Sequence, residues 1–218
     1  MILSGERLTS FAQLVSAARL ASVAQVASVA SVALSPDGRN FATAASDCDI
    51  ALWDTQTGGH MMTFEYNDNI WSLEFLPNGH LAAGNDDGAI LLCDTVTGSR
   101  VKTINAHSDR ITSLSASQTK LASGSSDRTF RVWDTTSWTC ISTFECVHEI
   151  ESMALYSDGN RVATCTSEML SVWDTVTQQL IVSQNLSTVK PLVFYGDRWK
   201  PKSINYERSC IKRNYVAY

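Results

Sequence analysis

The sequence predicts an all-β chain assembled from repeated small antiparallel sheets. Three observations carry this: a segment that returns at a fixed interval, strand-like alternation broken by turn chemistry within each period, and no convincing helical stripe beyond residue 30. In the 218 residues, ALWDTQTG begins at Ala51, LLCDTVTG at Leu91, RVWDTTSW at Arg131 and SVWDTVTQ at Ser171. Asp54, Asp94, Asp134 and Asp174 are therefore evenly spaced, and each is followed by Thr. Self-similarity at a fixed period of this size marks a repeat architecture.

The elements follow in order along the chain. Residues 1–28 form an Ala/Val-rich lead-in, read as helical or disordered. Arg19 and Gln25 interrupt its apolar stretch and Glu6 sits where a secretory signal carries positive charge, so it is a poor signal and too broken for a membrane span. With Arg7 and Arg19 and a single acid before Asp37, a mitochondrial presequence is the alternative. Residues 29–189 hold the repeats. Short runs such as SVAL, SLEF and VWDT alternate with SPDG, LPNG and YSDG turns. In the cleanest period, 102–106 (KTINA), 111–116 (ITSLSA), 120–125 (KLASGS) and 129–135 (TFRVWDT) are expected as four strands of one antiparallel sheet. Residues 190–218 begin like a fifth unit, VKPLVFYGD, and then lose the pattern in a basic, aromatic tail.

The four recurrences, three of them with a Trp-Asp pair, resemble the WD-repeat β-propeller family, over about residues 29–189. The resemblance implies four-stranded antiparallel blades. Propellers of this family usually close with seven blades, roughly 280 residues at this repeat length. The expected fold is therefore four recognisable blades plus a partial fifth, without a closed seven-bladed ring. An unclosed stack leaves a sheet edge and an apolar face at each end. The lead-in, the tail, a second copy or sequence outside this chain would cover them, so self-association through open ends is one expectation.

The resemblance also implies a buried hydrogen-bonded set in each blade: a His before the repeat, a Ser or Thr in the third strand, an Asp in the next turn, and the Trp. The third period supplies His107, Ser123, Asp127 and Trp133. The same residue types make catalytic triads, but a triad needs an exposed nucleophile and oxyanion donors beside a pocket. No nucleophile-elbow pattern is present, so the set reads as architecture. The first period keeps Thr43, Asp47 and Trp53, with Gln25 at the His place. The second keeps Asp87, with Tyr66, Ala83 and Cys93 elsewhere, and is expected to depend most on packing alone. The fourth keeps Thr164 and Trp173, with His148 displaced and Glu168 offered for the Asp.

Function is read from the loops. One rim gathers Tyr66, Asp68, Arg110, Arg128, His148 and Glu149, with Trp71 at the start of an inner strand; these are the candidate partner-binding residues. Trp138 falls on the opposite rim, where earlier periods have glycine. Enzyme chemistry finds no support: there is no P-loop, no dinucleotide fingerprint and no H-E-x-x-H. The histidines at 60, 80, 107 and 148 lack ligand-like spacing, so no metal and no cofactor is expected. Six cysteines without a C-x-x-C pair read as free thiols in a reducing compartment, cytoplasmic or nuclear, with disulfides as the alternative. The resemblance implies a non-catalytic scaffold or recognition module whose partners are other proteins. Charge offers a second reading. Residues 1–189 carry 10 basic and 20 acidic side chains, whereas 190–218 carry 7 and 2, interleaved with aromatics. That mixture suits single-stranded RNA. A truncated copy without autonomous function is the third reading.

Overall fold

The computed structural model describes residues 29–45, 49–66, 68–186, 192–195 and 198–201, the last two segments as backbone. The lead-in, Asp47 and nearly all of the basic tail lie outside the described residues.

Turn chemistry at a fixed spacing builds sixteen of the strands into four sheets. The first holds β1 (Val29–Leu34), β2 (Asn40–Ala45), β3 (Asp49–Asp54) and β4 (His60–Glu65). The second holds β5 (Ile70–Phe75), β6 (Leu81–Asn85), β7 (Ala89–Cys93) and β8 (Arg100–Asn105). The third holds β9 (Ile111–Ala116), β10 (Lys120–Ser125), β11 (Thr129–Asp134) and β12 (Cys140–Glu145). The fourth holds β13 (Ser152–Leu155), β14 (Arg161–Cys165), β15 (Met169–Asp174) and β16 (Leu180–Asn185). Each is an antiparallel meander in chain order. A separate antiparallel pair joins β17 (Leu192–Tyr195) to β18 (Arg198–Pro201).

The sheets are framed one strand later than the repeat reads. KTINA does not open the third sheet; its strand residues end β8, the outer strand of the second. The reason lies in the Asp-Thr turn. Asp134 Oδ1 accepts the N–H groups of Thr136 and Ser137 at 2.9 and 2.7 Å, and Trp138 N–H returns to Asp134 O at 2.8 Å. This closes a tight hairpin, so the strand after each Asp folds back on the one before it. The ladder shifts register at Trp53, Cys93, Trp133 and Trp173, a bulge at the same place in every sheet.

Neighbouring sheets stack face to face through three apolar clusters. Ile50, Leu52 and Phe64 of the first sheet meet Ile70, Leu73 and Leu91 of the second. Ile90 and Leu92 meet Ile111, Leu114 and Trp133. Phe130, Val132 and Phe144 meet Ile150, Met153 and Val162. Close approach needs glycine at two seams. A Cβ on Gly84 would stand 2.5 Å from Ile111 Cγ2, and one on Gly124 2.5 Å from Ile150 Cγ2. Among the described residues the first and fourth sheets do not meet, so the ring is open.

Polar bonds run through the same seams along the inner strands. Leu73 N–H donates to Ser31 Oγ at 3.0 Å, Leu114 N–H to Ser72 Oγ at 2.9 Å, and Met153 N–H to Ser113 Oγ at 3.0 Å. One step further, Ala116 N–H donates to Glu74 Oε1 and Leu155 N–H to Ser115 Oγ, both at 2.9 Å. The inner strands of the first three sheets thus present hydroxyl or carboxylate acceptors to the backbone of the next, satisfying amides that no strand neighbour reaches.

Candidate functional site

The third sheet places His107, Ser123, Asp127 and Trp133 in one chain of hydrogen bonds. β10 holds Ser123, fully buried, opposite β11, and the loop before β9 brings His107 over it. Trp133 Nε1–H donates to Ser123 Oγ at 2.9 Å, and Ser123 Oγ lies 2.8 Å from His107 Nε2. His107 Nδ1 lies 3.0 Å from Asp127 Oδ2 and 3.1 Å from Thr129 Oγ1. Asp127 is itself fastened: Oδ1 accepts Thr129 N–H at 2.9 Å and Thr129 Oγ–H at 2.7 Å, and Oδ2 accepts Ser108 N–H at 3.2 Å. A carboxylate only accepts, so His107 carries its proton on Nδ1 and takes the Ser123 hydroxyl hydrogen on Nε2.

Electrostatics favour that neutral form. Burial pushes the His107 pKa below the ordinary histidine value, and the Asp127 carboxylate opposes it only in part. Against its own burial, hydrogen bonds from Thr129 and from Ser108 N–H hold Asp127 below the usual carboxylate range. Ser123 Oγ spends its hydrogen on His107 and a lone pair on the indole, inside a seam without solvent. A substrate carbonyl would reach it only by opening the sheet.

The other sheets solve the same problem with fewer parts. Trp53 Nε1–H donates to Thr43 Oγ1 and Trp173 Nε1–H to Thr164 Oγ1, each at 3.0 Å. His148 does not join the fourth set; its Nε2 pairs with Glu168 Oε2 at 3.3 Å near the surface. The second sheet departs from the sequence reading in two ways. Tyr66 is buried, not a surface contact, and its hydroxyl lies 2.7 Å from Cys93 Sγ. A longer ring at the His place thus spans the gap left by Ala83 and Cys93, so this sheet does not rest on packing alone. Asp87 is exposed, and the turn is held instead by Asn85, whose Oδ1 accepts Ala89 N–H and whose amide donates to Asp68 Oδ2 at 3.3 Å.

The rim collects the remaining candidates. Arg110 lies over Trp71, with its guanidinium carbon 4.1 Å from the ring centroid, and its Nε–H donates to Asp86 Oδ1 at 2.7 Å. Both charged partners are 38% exposed. Asn69 Nδ2–H donates to Asp86 Oδ2 at 3.4 Å. Arg128 and Glu149 are exposed nearby, Arg128 with φ 66° where Gly88 has φ 78°. Trp138, on the opposite rim, is half-buried against the cluster between the second and third sheets. The residues missed by sequence reading are Asp86, Asn85, Thr129 and the seam serines. Of these, Ser31, Ser72 and Ser113 did carry a signal, since they recur at one even spacing.

Stacked four-stranded sheets with acceptors at every seam and loops gathered on two rims define a repeat-built protein of propeller blades. The sequence model described as WD domain, G-beta repeat matches residues 21–54, 58–94 and 98–134. The chain belongs to the WD-repeat family; its fourth sheet lies beyond the matched units. The solved structure of U3-55K aligns over 72% of this chain and 52% of its own, with a TM-score of 0.68 and 19% identity, a likeness of fold. The chain spans about half the length of that structure. No curated protein matches it. WD repeats generally mediate protein–protein interaction, and propellers of this family are typically non-catalytic.

Proposed function

We propose that this chain is a non-catalytic scaffold or recognition module that holds another protein on the rim built by the loops before β5, β9 and β13. One observation carries the reading: the Arg110–Trp71–Asp86 stack is ordered by its own contacts yet presents charged and aromatic surface to solvent. Aromatic and arginine side chains pre-arranged in this way are the usual anchors of protein interfaces. Cation–π stacking contributes about 0.5–2 kcal/mol, enough to fix the pair without a partner. Arg110 is engaged by Asp86, so it orients the anchor rather than reaching out to an acidic ligand. Arg128, His148 and Glu149 would form the polar surround.

Affinity capture from a lysate of the native source, quantified by mass spectrometry, tests this. Arg110→Ala and Trp71→Ala are expected to lose the same protein set at least tenfold while circular dichroism and melting stay close to the parent. Retention of all partners by both variants contradicts the reading. A salt-sensitive RNA shift that requires residues 190–218 would favour the basic tail instead.

A further inference from the structure

We propose that the far face of the fourth sheet is a docking site for this chain's own β17, held by a hydrogen bond from Val193 N–H to Ser152 Oγ. The seam bonds locate it. Ser31, Ser72 and Ser113 each accept the N–H of the residue one place beyond the equivalent position in the next inner strand, at Leu73, Leu114 and Met153. Ser152 holds the corresponding place in β13, immediately before Met153. Met153 and Leu155 pack toward the third sheet. Side chains alternate along a strand, so Ser152 and Ala154 face the other way. Within residues 29–186 no N–H of the described residues reaches the Ser152 hydroxyl, which is half-buried.

The occupant follows from spacing. Inner strands start at Ile70, Ile111 and Ser152, and β17 starts at Leu192, where the next step of nearly the same length falls. β16 connects to β17 through six residues, as β12 does to β13. β17 has the four-residue length of β13 and pairs antiparallel with the strand that follows, as every inner strand does. In that register Val193 takes the place of Met153. The face it would cover also carries Ala163, Cys165, Leu170 and Val172. Their counterparts Ala122, Gly124, Phe130 and Val132 form the third sheet's contact with the fourth. At the place where Gly124 makes room for Ile150 the fourth sheet carries Cys165, and the sequence position equivalent to Ile150 holds Lys190.

Amide hydrogen exchange by NMR on the full chain tests the latch, with site-resolved alkylation of Cys165 as a second readout. The Leu155 amide, held by Ser115, is the internal reference for folding. Val193 N–H is expected to exchange at least fiftyfold slower than in a free peptide. Ser152→Ala should speed Val193 exchange and Cys165 alkylation at least fivefold, Ser152→Thr should restore both, and Leu155 should not change. Val193 exchange at the free-peptide rate, or protection indifferent to Ser152→Ala, overturns the proposal. So does protection that rises with protein concentration alongside a doubled mass, which would make a second copy the occupant.

Discussion

At Ser123 a single hydroxyl serves two buried partners, and removing it strands both the Trp133 indole and the His107 ring. Each orphaned group costs about 1–3 kcal/mol, so Ser123→Ala is expected to lower stability by roughly 2–4 kcal/mol in urea denaturation. Thr164→Ala, which strands only Trp173, should cost about half as much. His107 adds a pH dependence. Its pKa is lowered on folding, so the stability it contributes is present above the unfolded value and lost as pH falls through the histidine range. Glu74 works in the opposite sense. Burial pushes its carboxyl up to about 7 although Ala116 N–H favours the charged form. Its contribution is present below the unfolded value of 4.5 and lost as pH rises toward 7. Glu74→Gln keeps an acceptor and removes the charge. It should stabilise the protein by on the order of 1–3 kcal/mol at pH 8 and change little at pH 4, measured by denaturation at both.

The strand hairpins show what the repeat encodes. Gly58, Gly98, Trp138 and Gln178 hold the same place after the four aspartates, and all take positive φ, 68°, 74°, 59° and 58°. Two non-glycine residues accept a left-handed conformation because the Asp turn fixes it. Gln178 is exposed, with one long bond of 3.3 Å to Ser142 Oγ. Gln178→Gly should therefore raise stability by about 0.5–1 kcal/mol, read as a small rise in melting temperature. The period, the strands and the third hydrogen-bonded set were legible because Trp-Asp and the turn glycines recur in sequence. The sheet frame was not, since a hairpin folds the strand after each Asp onto the one before it, whereas the repeat reads as ending there. Nor was the second sheet, where Tyr66 and Cys93 substitute for a whole set by exchanging volumes between distant parts of the sequence.

Across the whole molecule, four sheets lean on one another in sequence and nothing among the described residues closes the circle. Such a stack has nearest-neighbour stability, with each sheet holding through the seams beside it. The serine bonds made this invisible to motif reading, because a serine on a β-strand looks the same whether it faces water or the next sheet. Only its recurrence at 31, 72 and 113 betrays the role. The rim anchor at Trp71 depends on the seam between the second and third sheets, since Arg110 and Asp86 come from opposite sides of it. Amide exchange at Leu73, Leu114 and Met153 tests the stacking most directly. Protection at all three equal to that of the amides paired between β10 and β11 is the predicted result. Rapid exchange at these seam amides, with the pairing inside each sheet still protected, would contradict it by showing four sheets that open independently.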